Sequence, residues 1–378
     1  MTTIDCIYKD WRFWLLFLVI NMSGNLGFGQ LTNDKINIIV VFIIIFFYVT
    51  IKKIYTQNSI LFMSIFVLIT ISSGIYDSAF FSYSSTFHIL MKMYIGVSVV
   101  LILRNLFIQY YIKIIIFFAI ISLICFMLNS FGLILPYIPI QSTNLDGGNI
   151  MRVSSLLYTQ LYNINSEELA LRNCGPFWEP GAYQGFLNLA ITLLILTNNI
   201  RDKKFWINIA ILIVTVITTF STGGYIVLFF NLLLLIYMEK NVSQFTKFFV
   251  CLFLLSLSIS VFFNVNFMYE KIKDDSNRLG VTSGGLSPLI NLILGYGYAA
   301  QSIANSKIET VNGLLGLFTY SGLAGIMLYI IKLIGKFVTP YRLMWVLIVC
   351  LILMNEPFLT AGPFWWGVPF IFDYYTSK

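Results

Sequence analysis

The chain has 378 residues, of which 58% are hydrophobic and only 10% charged, whereas a soluble domain carries about 25% charged residues. That balance excludes an ordinary soluble domain. The apolar runs are too long and too uniform for the alternating segments of a membrane β-barrel, and the net charge of +7 sits in short loops, which is a topology signal and not a nucleic-acid surface.

Apolar runs of about 16–22 residues, the length that crosses roughly 30 Å of hydrocarbon, recur from end to end. They predict an all-α polytopic membrane protein, one integral domain over 1–378. About twelve transmembrane helices are expected at 12–30, 36–51, 59–75, 88–103, 114–135, 182–198, 205–221, 223–238, 248–267, 312–334, 343–356 and 358–373. The start, MTTIDCIYKDWR, is short and mixed in charge and lacks a small-residue cleavage site, so the first run reads as a retained span. With the N-terminus inside, Lys52, Lys53, Arg104, Lys203, Lys204 and Lys336 fall in cytoplasmic loops, as the positive-inside rule requires. The last run is rich in Gly, Pro and Trp and is the weakest span.

In the fourth run, His88 and Lys92 lie four residues apart and share a helical face. An ionisable residue inside a span is a functional suspect, although His88 lies near the end of the run and also reads as interfacial. Two external loops are long, 136–181 and 268–311, and hold most of the polar chemistry. Five cysteines are scattered along the chain. Cys174 alone falls in an external loop, so no disulfide is expected there, and the lone histidine and the cysteine spacing predict no metal site.

The first loop ends in RNCGPFWEPGAYQGFLNLAI, Arg172 to Ile191. Pro180 suits the first turn of the next helix and holds Glu179 extended, placing Glu179 at or near its N-cap. Arg172 and Glu179 either pair to fix the loop or line an external cavity open to a lipid-linked anion. In the second loop Arg278, within DDSNRLG, is a further anion candidate, because guanidinium groups bind phosphate oxygens bidentately and stay protonated. Arg152 is a third. The run 286–294, ending at Gly295 and Gly297, is too short to span and reads as an interfacial helix or a shallow re-entrant turn. STGG at 221–224 forms a tight hairpin. Asn312 opens the next span as an N-cap or a site residue, and Asn355 and Glu356 either complete the polar cavity or cap before Pro357.

Taken together, Arg172-x-x-Gly175-x-Phe177-x-Glu179-Pro180, Ser221-Thr222-Gly223, Asn277-Arg278, Gly295-x-Gly297-Tyr298, and Asn312 before Gly322-x-x-Gly325 resemble the bacterial O-antigen polymerase family. That family lies within the O-antigen ligase and polymerase superfamily, and the match runs over about 140–330. The resemblance implies a fold similar to multi-spanning lipid-dependent (GT-C-like) glycosyltransferases in the bacterial inner membrane, with its active site on the periplasmic face. It implies a metal-independent polymerase for O-antigen, capsule or related polysaccharide, with no cofactor. The growing glycan would move from undecaprenyl diphosphate to the non-reducing end of an undecaprenyl-diphosphate-linked repeat unit, with a chain-length regulator as a candidate partner.

On this reading Arg172 and Arg278 stabilise the departing diphosphate. Glu179 and Glu309 are the external carboxylates best placed to orient or deprotonate the acceptor hydroxyl. Arg152, Gly175, Phe177, Tyr183, Tyr298 and Asn312 are candidate substrate contacts, the aromatics serving equally as packing. Ligases of the superfamily carry a histidine near the start of the span after the second arm; Val311-Asn312 stands there instead, which favours polymerase over ligase. A flippase or transporter of lipid-linked oligosaccharide would gather charge at the midplane and show paired halves, and the sequence shows no repeat.

Overall fold

The computed structural model describes residues 9–31, 34–76, 83–131, 138–140, 150–163, 169–170, 172–197, 202–239, 293–295, 313–335 and 339–374. Helices dominate: α1 (Trp11–Asn21), α2 (Leu26–Leu31), α3 (Asp34–Lys52), α4 (Gln57–Tyr76), α5 (Tyr83–Leu103), α6 (Leu106–Ser130), α7 (Pro180–Thr197), α8 (Lys203–Thr218), α9 (Thr222–Met238), α10 (Gly313–Ile334) and α11 (Pro340–Asn355). Two single turns follow, α12 (Phe358–Ala361) and α13 (Phe364–Gly367), then a 3₁₀ segment, Val368–Asp373. By length and composition α5, α6 and α7 can each cross a membrane, and six shorter apolar stretches accompany them among the described residues. The predicted span 248–267 lies outside the described residues.

The helices divide into a wall and a centre. On α3, Ile38, Val41, Ile45 and Val49 face inward and are buried, while Ile36, Ile39, Ile43, Phe46 and Phe47 lie open on the outer face. A helix apolar on both faces, with one face exposed, is a lipid-facing helix, since water would penalise so large an apolar patch. The outer face of α6 repeats this with Phe117, Ile120, Ile124 and Met127. By contrast α7 is buried from Ala182 to Ile195 without interruption, packed against α6, α8, α9 and α11.

Four expectations need correction. The run 12–30 is not one helix: the chain breaks at Met22–Asn25, where Gly24 takes φ +140°. The run 358–373 is no span either, but α12, α13 and the 3₁₀ segment, folded back among buried residues. The helix expected over 114–135 is α6, which begins at Leu106 and carries Lys113 half-buried within it, its long aliphatic stem tolerating a position that a point charge would not. Finally, the chain is not all-α. Loop 136–181 contains a four-stranded antiparallel meander, β1 (Ile138–Ile140), β2 (Ile150–Ser154), β3 (Thr159–Asn163) and β4 (Leu169–Ala170). The β2–β3 turn closes with Ser155 N–H donating to Tyr158 O at 2.8 Å, and its backbone rests directly on Gly27 of α2.

Non-helical backbone away from water must find its partners within the protein. Around residues 356–367 it does so through side chains. Lys92 Nζ donates to Thr360 O at 2.6 Å and Ala361 O at 3.2 Å. Trp366 Nε1 donates to Leu359 O at 2.8 Å, Tyr329 OH to Trp365 O at 2.8 Å, and Phe364 N–H to Ser23 Oγ at 2.9 Å. One turn beyond Lys92, Gly96 lets Pro363 and Gly367 approach α5 at backbone contact. Lys92 is thus a backbone clamp. The glycine turn foreseen at 286–295 also comes inside: Gly295, at φ +76°, touches the backbone of α10 at Tyr320–Gly322. There α10 is kinked, with Gly322 at φ 61° and ψ −164°. Residues 286–292 of that run lie outside the described residues.

Two outcomes are expected. Lys92→Met leaves two buried carbonyls short of a donor, at about 1–3 kcal/mol, and lowers the thermal unfolding midpoint in detergent. At the other end of the molecule, Asp10 caps α1 through Arg12 N–H at 3.0 Å and accepts from Tyr110 OH of α6 at 2.7 Å. The Arg12 guanidinium, reinforced by Tyr110, holds the Asp10 carboxyl down from 3.8 to about 2 against the opposing effect of burial. Its contribution is therefore complete above about pH 4 and lost as pH falls toward 2. Asp10→Asn keeps an N-cap acceptor but removes the charge paired with Arg12; it should lower the midpoint at pH 7 by up to about 1 kcal/mol and narrow its gap to the unsubstituted protein as the pH drops through that window.

Candidate active site

Residues 172–180 are fixed by contacts on every side. Arg172 Nε donates to Thr219 O at 3.3 Å and its Nη2 to Phe220 O at 3.1 Å. It therefore grips the end of α8, where unpaired carbonyls and the helix dipole favour a cation. Phe220 takes a positive φ of 48° in that turn, and Ser221 then caps α9, accepting from Gly224 N–H at 3.4 Å. Asn173 ties the same turn to α6: its N–H donates to Thr218 O at 3.0 Å, and its Nδ2 to Thr218 Oγ1 at 3.0 Å and Ser122 Oγ at 3.3 Å.

Gly175 sits at φ +53°, its N–H donating to Asn173 Oδ1 at 3.0 Å. The Tyr183 ring lies where a Cβ would be, 2.6 Å from that position, and the Tyr183 hydroxyl meets Ser122 Oγ at 2.8 Å. Phe177 is fully buried, stacked on Phe186 at 4.3 Å and Tyr183 at 5.7 Å between ring centroids. Trp178 N–H donates to Gly24 O at 3.2 Å, and its ring covers Gly24. The break in the first predicted span thus serves as the seat of this motif, with Asn25 and Phe177 paired as an isolated bridge.

Pro180 opens α7 as expected, and the Glu179 carbonyl accepts the first helical bond, from Tyr183 N–H at 3.1 Å. Beside it, Glu356 enters from the end of α11. Its Oε1 occupies the space that a Gly181 side chain would fill, while the neighbouring Asn355 amide does the same at Gly223. A Cβ on Gly313 would lie 2.7 Å from Glu356 O and 2.8 Å from Leu353 O. The first turns of α7, α9 and α10 therefore converge on residues 355–356. Three positive helix ends around one point, with Arg172 on the adjoining turn, make a pole attractive to anions.

Behind this pole a polar seam runs between α7 and α9. Asn188 Nδ2 donates to Gln184 Oε1 at 3.0 Å and Gly224 O at 3.2 Å. Asn231 Nδ2 donates to Asn188 Oδ1 at 3.1 Å, and Thr192 Oγ1 to Asn231 Oδ1 at 2.7 Å. All four side chains are fully buried. Such amide ladders bind apolar helices together where lipid supplies no hydrophobic drive.

The structure brings Arg172, Gly175, Phe177, Glu179 and Tyr183 together. Phe177 and Tyr183, candidate substrate contacts from sequence, take the packing alternative: both are at 0% exposure, so in this arrangement neither offers a face to a sugar. Arg152 lies in β2, opposite Ile140 and Leu161, in the sheet and not in the 172–180 motif. Arg278, Tyr298, Glu309 and Asn312 lie outside the described residues. Cys174 is a buried, free thiol. No group of three or more His, Cys, Asp or Glu able to hold a metal occurs among the described residues. Sequence reasoning passed over Asn173 and the Gln184–Asn188–Thr192 face, although the four-residue spacing of that face is visible in the sequence. It left Asn355 and Glu356 undecided.

Gly175→Ala forces an L-residue into left-handed backbone, at about 1–2 kcal/mol, and displaces the Tyr183 ring as well. The midpoint of thermal unfolding should fall by more than in Tyr183→Phe, which removes only a hydroxyl contact worth about 1 kcal/mol.

No family model matches the chain, and neither does any curated protein or solved structure.

Proposed function

We propose that this protein is a multi-spanning polysaccharide polymerase of the inner membrane, with a periplasmic active site. It transfers a growing glycan from undecaprenyl diphosphate to an incoming undecaprenyl-diphosphate-linked repeat unit. The observation that carries this reading is Arg172 fixed on the turn that leads into α9, whose first turn converges with those of α7 and α10 on residues 355–356. A departing diphosphate develops negative charge, and prearranged donors aimed at that charge lower the barrier without reorganising during reaction. Guanidinium has five N–H donors. Two of those on Arg172 reach carbonyls of the α8–α9 turn, an anchorage that sets the plane of the fork. Arg278 in the second arm supplies a second cation on this reading, and Glu179, half-buried at the head of α7, faces the acceptor. The motif resemblance supports the same assignment. The lipid-facing walls of α3 and α6 suit a carrier that presents its head group at the membrane surface.

The test is polysaccharide length in cells whose only copy carries Arg172→Ala or Arg172→Lys, with membrane abundance measured alongside. Both variants should reach the membrane at normal level. Elongation should stop with alanine and fall at least about 10-fold with lysine, because a point charge cannot replace a fork. Unaltered chain length in both would refute the assignment.

A further inference from the structure

Along α6 the residues Lys113, Phe117, Ile120 and Ile124 recur at steps of four, three and four, so they share one face of the helix. Phe117, Ile120 and Ile124 are exposed on its outer side, and α6 is long and apolar enough to cross a membrane. Half-buried Lys113 therefore stands on a lipid-facing stripe. It lies about 10 Å along the helix from Leu106, at 1.5 Å per residue. The positive-inside bias concerns loops and does not account for a lysine there.

A second cation meets it from α8. The two helices pack side by side and run in the same direction. Asn173 joins Ser122 of α6 to Thr218 at the end of α8, and nearer their starts Lys113 and Lys204 come close enough to repel each other. Side chains on a helix lean toward its N-terminus, which carries the Lys113 ammonium toward that end. Among the described residues neither ammonium takes part in an ion pair. The carboxylates on the adjoining elements are engaged: Asp202 caps α8, accepting from Lys204 N–H at 3.1 Å, and Asp10 is bound by Arg12 and Tyr110. Trp206, exposed two residues after Lys204, sets the depth, since tryptophan belongs at the headgroup level.

We propose that Lys113 and Lys204 seat the phosphate of an anionic phospholipid, with an acyl chain lying along Phe117, Ile120 and Ile124. Ammonium groups bind phosphate as point charges, and an anion between two of them replaces their mutual repulsion with attraction to both. A net-negative headgroup suits the pair, whereas the amine of a zwitterionic one would bring a third cation to the same place. The apolar stripe beside Lys113 selects a lipid over free phosphate, which has no chain to lay there. The seat lies at the opposite end of α8 from Arg172, which grips Thr219 and Phe220, and it requires no step of polysaccharide chemistry.

The test uses purified full-length protein in neutral detergent and counts bound lipid by native mass spectrometry as phosphatidylglycerol or phosphatidylethanolamine is added. The unsubstituted protein should hold phosphatidylglycerol at least about 10-fold more tightly, the scale of two basic residues at an anionic headgroup. Lys113→Gln combined with Lys204→Gln should abolish that preference. Lys113→Arg combined with Lys204→Arg keeps both charges and should keep the preference within about 3-fold. Lys52→Gln combined with Lys53→Gln removes as many charges at the end of α3, which packs on α5, and should leave binding within about 2-fold. Phosphatidylglycerol should raise the thermal unfolding midpoint and inorganic phosphate should not. Equal binding of the two lipids by the unsubstituted protein overturns the proposal, as does an undiminished preference in the glutamine pair. An equal loss in the Lys52 and Lys53 control also overturns it, since the attraction would then belong to the whole membrane face. A rise of the midpoint with phosphate alone makes the seat a free-anion site and overturns the lipid. If the glutamine pair fails to fold, the single glutamine variants decide: full preference in both overturns the proposal.

Discussion

A backbone N–H or C=O that leaves a helix inside an apolar assembly has no water to turn to, and this constraint organises the molecule. Three stretches of irregular chain, 22–25, 172–179 and 356–364, lie deep in the helical packing. Each is satisfied by the others or by a long side chain from a neighbouring helix. Ser23 receives the N–H of Phe364, Gly24 receives Trp178, and Asn25 Nδ2 reaches Leu156 O at 2.8 Å. Lys92 and Tyr329 close the remaining carbonyls at the C-terminal end. Remove one break and the partners of the next are orphaned, at a cost that low dielectric magnifies. The irregular segments are therefore one structure, although they are scattered over the chain.

Packing turns that connected set into a rigid mould. Phe177, Phe186, Phe358, Phe364 and Trp365 form a continuous aromatic cluster, with Phe186 in contact with all four others. Rings have few rotamers and interlock at fixed angles, so the cluster holds the first turn of α7 and the segment after α11 at one separation. The consequence reaches function: the polar groups at these ends cannot drift, which is what prearranged electrostatics needs. The fit is tight enough that glycine is required where Trp178 lies on Gly24, where Tyr183 lies on Gly175 and where Glu356 lies on Gly181.

Much of the helical layout was legible because a membrane helix declares itself by a run of apolar residues, and α3, α4, α5, α7, α9, α10 and α11 fall close to their runs. Hydropathy was deceived where an apolar run is also an irregular one. Asn21-Met22-Ser23-Gly24-Asn25 interrupts the first run, and the Pro- and Gly-rich sequence after Glu356 breaks the last. The meander at 138–170 was missed because attention to span length hid its alternating residues. At the site, the placement of Pro180 and Glu179 followed from local chemistry. The arrival of Asn355 and Glu356 beside Gly181 and Gly223 did not, since nothing local in either segment specifies a partner so distant along the chain.

The seam between α7 and α9 has a bearing on how the protein is made. Of the three helices long enough to cross, α7 is the least apolar, and Gln184, Asn188 and Thr192 mark one of its sides. Released alone into lipid, such a segment would carry amides with nothing to bind. Asn231, its main complement, is synthesised about forty residues later, and the α11 side that closes over it later still. A ribosome-bound intermediate must then shelter α7 in the insertion machinery, or against α6, until those segments emerge. Biogenesis of this fold is accordingly ordered by its polar residues more than by its greasy ones.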